Sequence, residues 1–293
     1  MKALPAVAVL GLGAMGHAFA ANLLKKGFTV YGWNRTPGRG DDLLSEGLIV
    51  RETAAQAASD AQVIIAMLTD GDATLAAIRA VAPSCQQGAT FCQMGTIGIQ
   101  ETADAIALLE ALRPDMLYLD APVSGTKAPA ENAQILVMAS GDASRAGDAQ
   151  QVFDAISRGT QWYGDAGNSQ KMKLVINAWL ISMMQGVAES MQLAKQFGFT
   201  PGQLWETLEG GPLAAPYVKG KLEMIRKEDY TPQMQLQHAL KDARLALENA
   251  PQGTMPMMAD IVDMWTQASQ GGLAEQDLAA VYAWLDNARK AKA

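Results

Sequence analysis

Short, wholly apolar runs alternate with stretches of helical periodicity through the first half of the chain, and the second half reads as helix almost throughout. Ala6–Leu10 is a Val-rich run with no polar interruption, the pattern of a strand covered on both faces. From His17 to Lys26 apolar residues recur at helical intervals, Gly27 ends that helix, and Thr29–Trp33 reads as the next strand. Further strands are predicted at Val63–Leu68, Thr90–Met94, Leu117–Leu119 and Ile135–Ser140, with a helix over Thr74–Val81. This alternation predicts an α/β doubly wound parallel sheet with antiparallel additions at its far edge. The turn-rich stretch GDAGN, Gly164–Asn168, marks the domain boundary, so residues 1–165 are expected to form one domain and residues 166–293 an all-α second domain. A long interdomain helix from Ser169 to Phe197 joins them, followed by helices punctuated at Gly198, Pro201, Gly210-Gly211-Pro212, Pro232, Pro251 and Pro256.

The long helix is apolar around its girth, at Leu174, Val175, Ile176, Trp179, Leu180, Ile181, Met183, Met184 and Val187. A helix apolar on all sides is buried on all sides. A small helical domain cannot wrap it alone, so a homodimer or higher homo-oligomer is expected. The run Leu174–Met184 is broken by Asn177 and Ser182 and is too short to span a bilayer.

The join between the first strand and the first helix carries chemistry. Gly11, Gly13 and Gly16 follow the strand at once in GxGxxG spacing, within Gly11-Leu12-Gly13-Ala14-Met15-Gly16. The three glycines do different things. Gly11 permits the tight turn, Gly13 lets a pyrophosphate touch the backbone, and Gly16 lets helix pack on strand. The helix N-terminus then turns its N–H groups to the phosphates. The first domain is therefore expected to be a Rossmann-type dinucleotide-binding unit. The second strand ends in Asn34-Arg35-Thr36, with Arg39 close behind, where an NAD site usually carries a carboxylate for the ribose hydroxyls. A carboxylate would repel a 2′-phosphate. Asn34 does not, and Arg35 and Thr36 can hold one by charge and hydroxyl contacts, so NADPH/NADP+ is expected as the cofactor.

Composition narrows the class. Of 293 residues, 49% are hydrophobic and 18% charged, which suits a large core and argues against disorder. A net charge of −7 argues against nucleic acid as a partner. The first strand begins within a few residues of Met1, so no cleavable signal segment is expected. Cys85 and Cys92 have neither CxxC nor metal-ligand spacing, and with His17 and His238 they form no recognisable metal set, so reduced thiols, a cytoplasmic location and no metal are expected.

Lys173 and Asn177 lie four residues apart on the long helix and project from one face. A lysine within an apolar stripe is costly to bury and so invites a functional explanation. Desolvation lowers the pKa of an ammonium in general and eases proton release, which suits a proton donor. Lys171 lies in the same segment, with Val175 four residues on. Ser124 and Gly125 close a strand-to-loop turn after the rigid Pro122, and such a small-residue turn lets an anion approach main-chain donors. Lys127, two residues beyond, could add charge for an acidic substrate. Thr96 in Met94-Gly95-Thr96 follows a strand at the sheet's carboxyl end, where ligands bind in such folds.

Four patches in order, the glycine turn, Asp120-Ala121-Pro122-Val123-Ser124-Gly125, the segment GNSQKMKLVIN from Gly167 to Asn177, and Lys241-Asp242-Ala243-Arg244-Leu245-Ala246, resemble the β-hydroxyacid dehydrogenases, and within them the glyoxylate/succinic semialdehyde reductases. The resemblance spans nearly the whole chain. It implies that Lys173, rather than Lys171, protonates a carbonyl oxygen while nicotinamide C4 delivers hydride to the carbonyl carbon. Asn177 would hold the substrate or align the lysine. The resemblance further implies that Ser124 and Gly125 grip a substrate carboxylate, that Thr96 faces the nicotinamide ribose or substrate, that Lys241 reaches the cofactor and that Asp242 supports the active site; Leu68 joins the cofactor-binding set. The family usually has a Ser-Thr pair where this chain has Gly95-Thr96, so one hydroxyl is missing. The reductase branch commonly has an aromatic residue and a lysine where Met234 and Gln237 stand, which makes a broader, more apolar pocket, with Leu213, Tyr217, Trp179 and Met234 as lining candidates and His238 as a packed or rim residue. The expected activity is NADPH-dependent reduction of small aldehydes or 2-oxo acids. An imine reductase or reductive aminase on the same plan is the second reading, against which Lys173 speaks, and a non-enzymatic nucleotide-sensing protein is the third.

Overall fold

A computed structural model describes residues 3–290. It divides into two compact units, one up to Lys173 and one from Leu174 onward. In the first unit, strands β1 (Val7–Leu10), β2 (Val30–Trp33), β3 (Ile49–Val50), β4 (Val63–Ala66), β5 (Thr90–Gln93) and β6 (Leu117–Asp120) form one parallel sheet in the order β3-β2-β1-β4-β5-β6. Helices α1 (Ala14–Lys25), α2 (Ala54–Ala58), α3 (Gly71–Val81) and α4 (Ile99–Leu112) make crossovers. The order reverses between β1 and β4, and the carboxyl ends of strands at such a reversal form a ligand crevice. Alternation along β1 explains why the strand is apolar throughout. Val7 and Val9 join one core with Phe19, Leu23 and Phe153, while Ala8 and Leu10 join the other with Ile64 and Phe91. Each such large side chain, fully removed from water, contributes about 1.5–3 kcal/mol.

The antiparallel addition is a second small sheet. It comprises β7 (Val123–Ser124), β8 (Ile135–Ala139) and β9 (Ser157–Trp162), with α5 (Lys127–Glu131) and α6 (Gly147–Ile156) between strands. β7 runs antiparallel to β8, and β9 parallel to it. An isolated bridge between Asp120 and Ser140 joins the end of β6 to the residue after β8. Pro122, with no amide hydrogen to donate, separates β6 from β7. The short β3 and the polar β9, SRGTQW, carry no apolar run that would mark them in advance. α1 begins at Ala14, a turn before His17, because its first turn is built from glycine-turn residues rather than an apolar stripe.

α7 (Asn168–Gln196) starts in the first unit and runs on into the second, where α8 (Pro201–Leu208), α9 (Pro216–Lys227), α10 (Leu236–Asn249), α11 (Pro256–Ala268) and α12 (Val281–Lys290) follow. Pro201, Pro216 and Pro256 each begin a helix, where the missing N–H costs nothing. The core of this unit gathers Ile181, Met184, Ala188 and Met191 from one stripe of α7 against Leu236, Ala239, Ile261 and Trp265. Within one chain α7 is therefore not buried around its whole girth: Val175 and Trp179 are 63% and 66% exposed, because the other helices cover a single stripe. Lys221 and Asp277 form a buried ion pair, with Nζ 2.5 Å from Oδ1 and side chains 5% and 0% exposed. The Asp277 carboxylate also accepts from the backbone N–H groups of Gln233 (2.9 Å), Met234 (3.2 Å) and Ala279 (2.9 Å).

Candidate active site

The glycine turn has the geometry its spacing implies. Gly11 has φ +96°, and a Cβ there would strike the Met67 carbonyl oxygen. A Cβ on Gly16 would strike the Gly11 carbonyl oxygen, so this glycine allows α1 to lie against the turn. Gly13 is exposed, with nothing within 4 Å of a Cβ position. Leu12 is buried in the core at 2% exposure and roots the turn, while Ala14 is exposed and Met15 half-buried. No side chain caps α1, so the N–H groups of its first turn remain available to an anion. This bare glycine cradle fits a dinucleotide pyrophosphate. Asn34 ties the turn to the end of β2: its Oδ1 accepts from Leu12 N–H at 2.9 Å and its Nδ2 donates to the Thr36 carbonyl at 2.9 Å. The amide of Asn34 is thus committed to the backbone, and the exposed Arg35 and Thr36 carry the charge and hydroxyl at this end.

The loops after β1, β4 and β5 meet through glycines. Met67 and the half-buried Leu68 lie against Gly11, and a Cβ on Gly95 would strike the Leu68 carbonyl oxygen. The absent serine at Gly95 therefore has a steric reason in this chain. Thr96, next along, is half-buried and flanked by backbone groups that bond to Gln170 of α7.

Asp120, wholly buried at the end of β6, is a hub. Its carboxylate accepts from Gly167 N–H, from the Tyr118 hydroxyl (3.1 Å) and from the Ser140 hydroxyl (3.4 Å), while the Ser169 hydroxyl donates to its backbone carbonyl (3.2 Å). These bonds moor the first turn of α7 to the sheet. Burial pushes the Asp120 carboxyl up to about 6, although the hydrogen bonds oppose the shift. A carboxyl raised in the folded state favours the fold most below its unfolded pKa, and that contribution is lost as pH rises through the folded value. Between about pH 4 and 6, unfolding free energy is thus expected to fall with rising pH more steeply in the wild type than in Asp120→Asn. Parallel denaturation curves across that window would contradict this.

Beyond Asp120, Ser124 is half-buried in β7. Gly125 is exposed with φ +140°, and a Cβ there would lie 2.7 Å from Ile135 Cγ2. Lys173 is partly buried and donates from Nζ to the Val123 carbonyl at 2.8 Å, beside Ser124. Lys171 is exposed and donates to Asn168 Oδ1 at 3.1 Å. Lys127 lies 3.7 Å from Glu131 in an exposed pair.

In the second unit, Asn177 (1% exposed) donates from Nδ2 to Asp242 Oδ2 at 2.6 Å. The Lys241 ammonium lies 3.0 Å from Asp242 Oδ1, an ion pair that lacks hydrogen-bond alignment. Asp242 is 3% exposed, which separates it from an ordinary solvated charge. Met234 is half-buried on the segment that Asp277 holds, and the buried Tyr217 hydroxyl has no hydrogen-bond partner. Trp179 and Leu213 are 66% and 73% exposed, and His238 is exposed on α10.

Asp120 and Gln170 stand within recognisable motifs, yet motif reading gives them no role; their only sequence signal is a polar residue at a strand end and another in the first turn of a helix. Burial pushes the Cys85 thiol up to about 11 and the Cys92 thiol higher still, so neither is a nucleophile at neutral pH. Among the described residues no three His, Cys, Asp or Glu side chains gather as a metal set, and no helix is long and apolar enough to cross a membrane.

Fold and glycine cradle together define a dinucleotide-binding protein of the Rossmann type. Residues 6–164 match the family model described as the NAD binding domain of 6-phosphogluconate dehydrogenase, and residues 167–285 match that described as the NAD-binding domain of NADP-dependent 3-hydroxyisobutyrate dehydrogenase. Glyoxylate/succinic semialdehyde reductase 1 of Arabidopsis thaliana is 34% identical, over 94% of this chain and 96% of its own. The structure of Mycobacterium tuberculosis 3-hydroxyisobutyrate dehydrogenase superposes with a TM-score of 0.85 at 27% identity, covering 97% of this chain and 99% of that one. An imine reductase from a Pseudomonas species shares the fold, with a TM-score of 0.64 at 22% identity over 96% of this chain and 99% of that one. The chain belongs to the β-hydroxyacid dehydrogenase family and is an NAD(P)-dependent enzyme of the hydroxyacid dehydrogenase type.

Proposed function

We propose that this enzyme reduces small aldehydes or 2-oxo acids of the glyoxylate and succinic semialdehyde kind, with NADPH as reductant and Lys173 as general acid. The observation that carries the proposal is the Lys173 ammonium at the Val123 carbonyl, 2.8 Å away and one residue from Ser124. The likeness to a reductase so named supports the substrate class. When bound, the reduced nicotinamide supplies the hydride. The chain supplies the rest. Lys173 donates a proton to the substrate carbonyl oxygen, and Val123 aims its ammonium in the meantime. The Ser124 hydroxyl and the main chain beside Gly125 grip the substrate carboxylate. Asn177, fixed by Asp242, orients the reacting end, and Lys241 meets the cofactor. Lys173 favours carbonyl over imine reduction because its ammonium can protonate a carbonyl oxygen but repels a cationic iminium ion.

Turnover of NADPH against glyoxylate, succinic semialdehyde, a bulky ketone and a cyclic imine tests this. Activity on the first two is expected; activity confined to the imine would overturn it. For the cofactor, Arg35→Ala is expected to raise KM for NADPH about tenfold, the loss of one charge-assisted hydrogen bond, and to leave KM for NADH unchanged. An equal change for both coenzymes would remove the 2′-phosphate assignment. The buried free thiols of Cys85 and Cys92 suit a reducing compartment and support a cytoplasmic location. Val175, Trp179, Leu193 and Phe197 on or beside α7 are 57–66% exposed in one chain, and we propose that a second copy covers them. Sedimentation at micromolar concentration is expected to show a dimer or larger, and a monomer would refute it.

A further inference from the structure

We propose that Gln170 is a positioning residue for the reaction, its carboxamide holding the Thr96 loop in register with Lys173; this rests on the reductase reading above. Gln170 is wholly buried. Its Nε2 donates to the Gly95 carbonyl at 2.9 Å, and its Oε1 accepts from Ile97 N–H at 3.4 Å. The two backbone groups are those on either side of Thr96, so one side chain brackets that residue. An amide offers a donor and an acceptor together at this reach, which a carboxyl matches only when protonated. The loop has little slack elsewhere: Gly95 lies against the Leu68 carbonyl with no room for a Cβ, and Ile97 is 1% exposed.

Gln170 and Lys173 are three residues apart on α7, neighbours on one face. One turn of helix and one amide thus set where the Thr96 hydroxyl stands relative to the Lys173 ammonium, which Val123 aims in turn. The base of that turn is itself moored, since Asp120 accepts from Gly167 N–H. The strand ends bearing Thr96 and Ser124 are therefore referred to a single rigid element. Rate is sensitive to such placement, since an ångström of error can cost about a hundredfold.

Two variants test this. Gln170→Met keeps volume and removes both hydrogen bonds. It is expected to lower kcat at least about tenfold, with the Kd for NADPH by fluorescence titration unchanged. Gln170→Glu offers a donor to the Gly95 carbonyl only when protonated, so its kcat relative to wild type is expected to rise as pH is lowered. A purely structural role would lower thermal stability without moving that pH profile. Wild-type kcat in both variants, or a Gln170→Glu profile parallel to wild type, overturns the proposal. Should the wild type turn over no carbonyl with NADPH, the reductase reading fails instead. A crystal structure of Gln170→Met then decides Gln170 separately, a displaced Thr96 loop supporting its role and an unmoved one ending it.

Discussion

Lys173→Ala is expected to lower kcat by at least about a hundredfold, the low end for loss of a general acid, with the Kd for NADPH unchanged. The substitution removes the only group at this turn of α7 that the proposed chemistry asks to release a proton. It also removes the donor to the Val123 carbonyl at 2.8 Å. Lys173→Arg separates the two effects. An arginine can still donate to that carbonyl, yet its guanidinium holds its proton at any working pH. If Lys173 serves by donating a proton, arginine restores little of the rate. If it serves by anchoring Val123, arginine restores most of it. Single-turnover rates and a coenzyme titration on both variants are the measurements. Near-normal turnover in Lys173→Ala would end the assignment.

The second large effect is on stability. Lys221→Met is expected to cost about 3–5 kcal/mol, because it leaves the Asp277 carboxylate buried without its counter-charge. Three backbone N–H groups, of Gln233, Met234 and Ala279, still bond to that carboxylate, so the loss is not relieved by protonation without cost to them. Burial draws the Lys221 pKa below its ordinary value, while the Asp277 charge and hydrogen bond oppose the shift. An apolar pair, Lys221→Met with Asp277→Leu, is expected to rescue little, since the same three N–H groups would then lose their acceptor. Denaturant unfolding of both variants checks this; an unchanged midpoint in Lys221→Met would contradict it.

The legible parts of this chain were those where local chemistry and periodicity agree. β1 and β4 are apolar at every position because both faces of the sheet are covered, and no other local structure suits such short runs as well. Gly11 and Gly16 are readable because only glycine tolerates a carbonyl oxygen where a Cβ would stand. β3 and β9 were not legible. The first is too short to show a period, and the second is polar enough to pass for a loop. Among candidate site residues, Asn34 was legible as the residue that follows the second strand, but not the use of its amide, which is spent on Leu12 and Thr36.

What the amino-acid order determined by itself was the class: a glycine turn between strand and helix, a long helix carrying Lys173 and Asn177, and an all-helical remainder, each encoded in spacings of a few residues. Only the tertiary structure decided which polar residues act together. Gln170 reaches Gly95 across 75 residues, Asp120 reaches Gly167 across 47, and Lys173 reaches Val123 across 50. Along the chain Lys171 and Lys173 differ only in having Val175 or Asn177 four residues on, whereas tertiary packing exposes the first and sets the second against a carbonyl. The physical reason is that hydrogen-bond partnership depends on distance and direction in space, whereas propensity and periodicity register only neighbours within a turn or two.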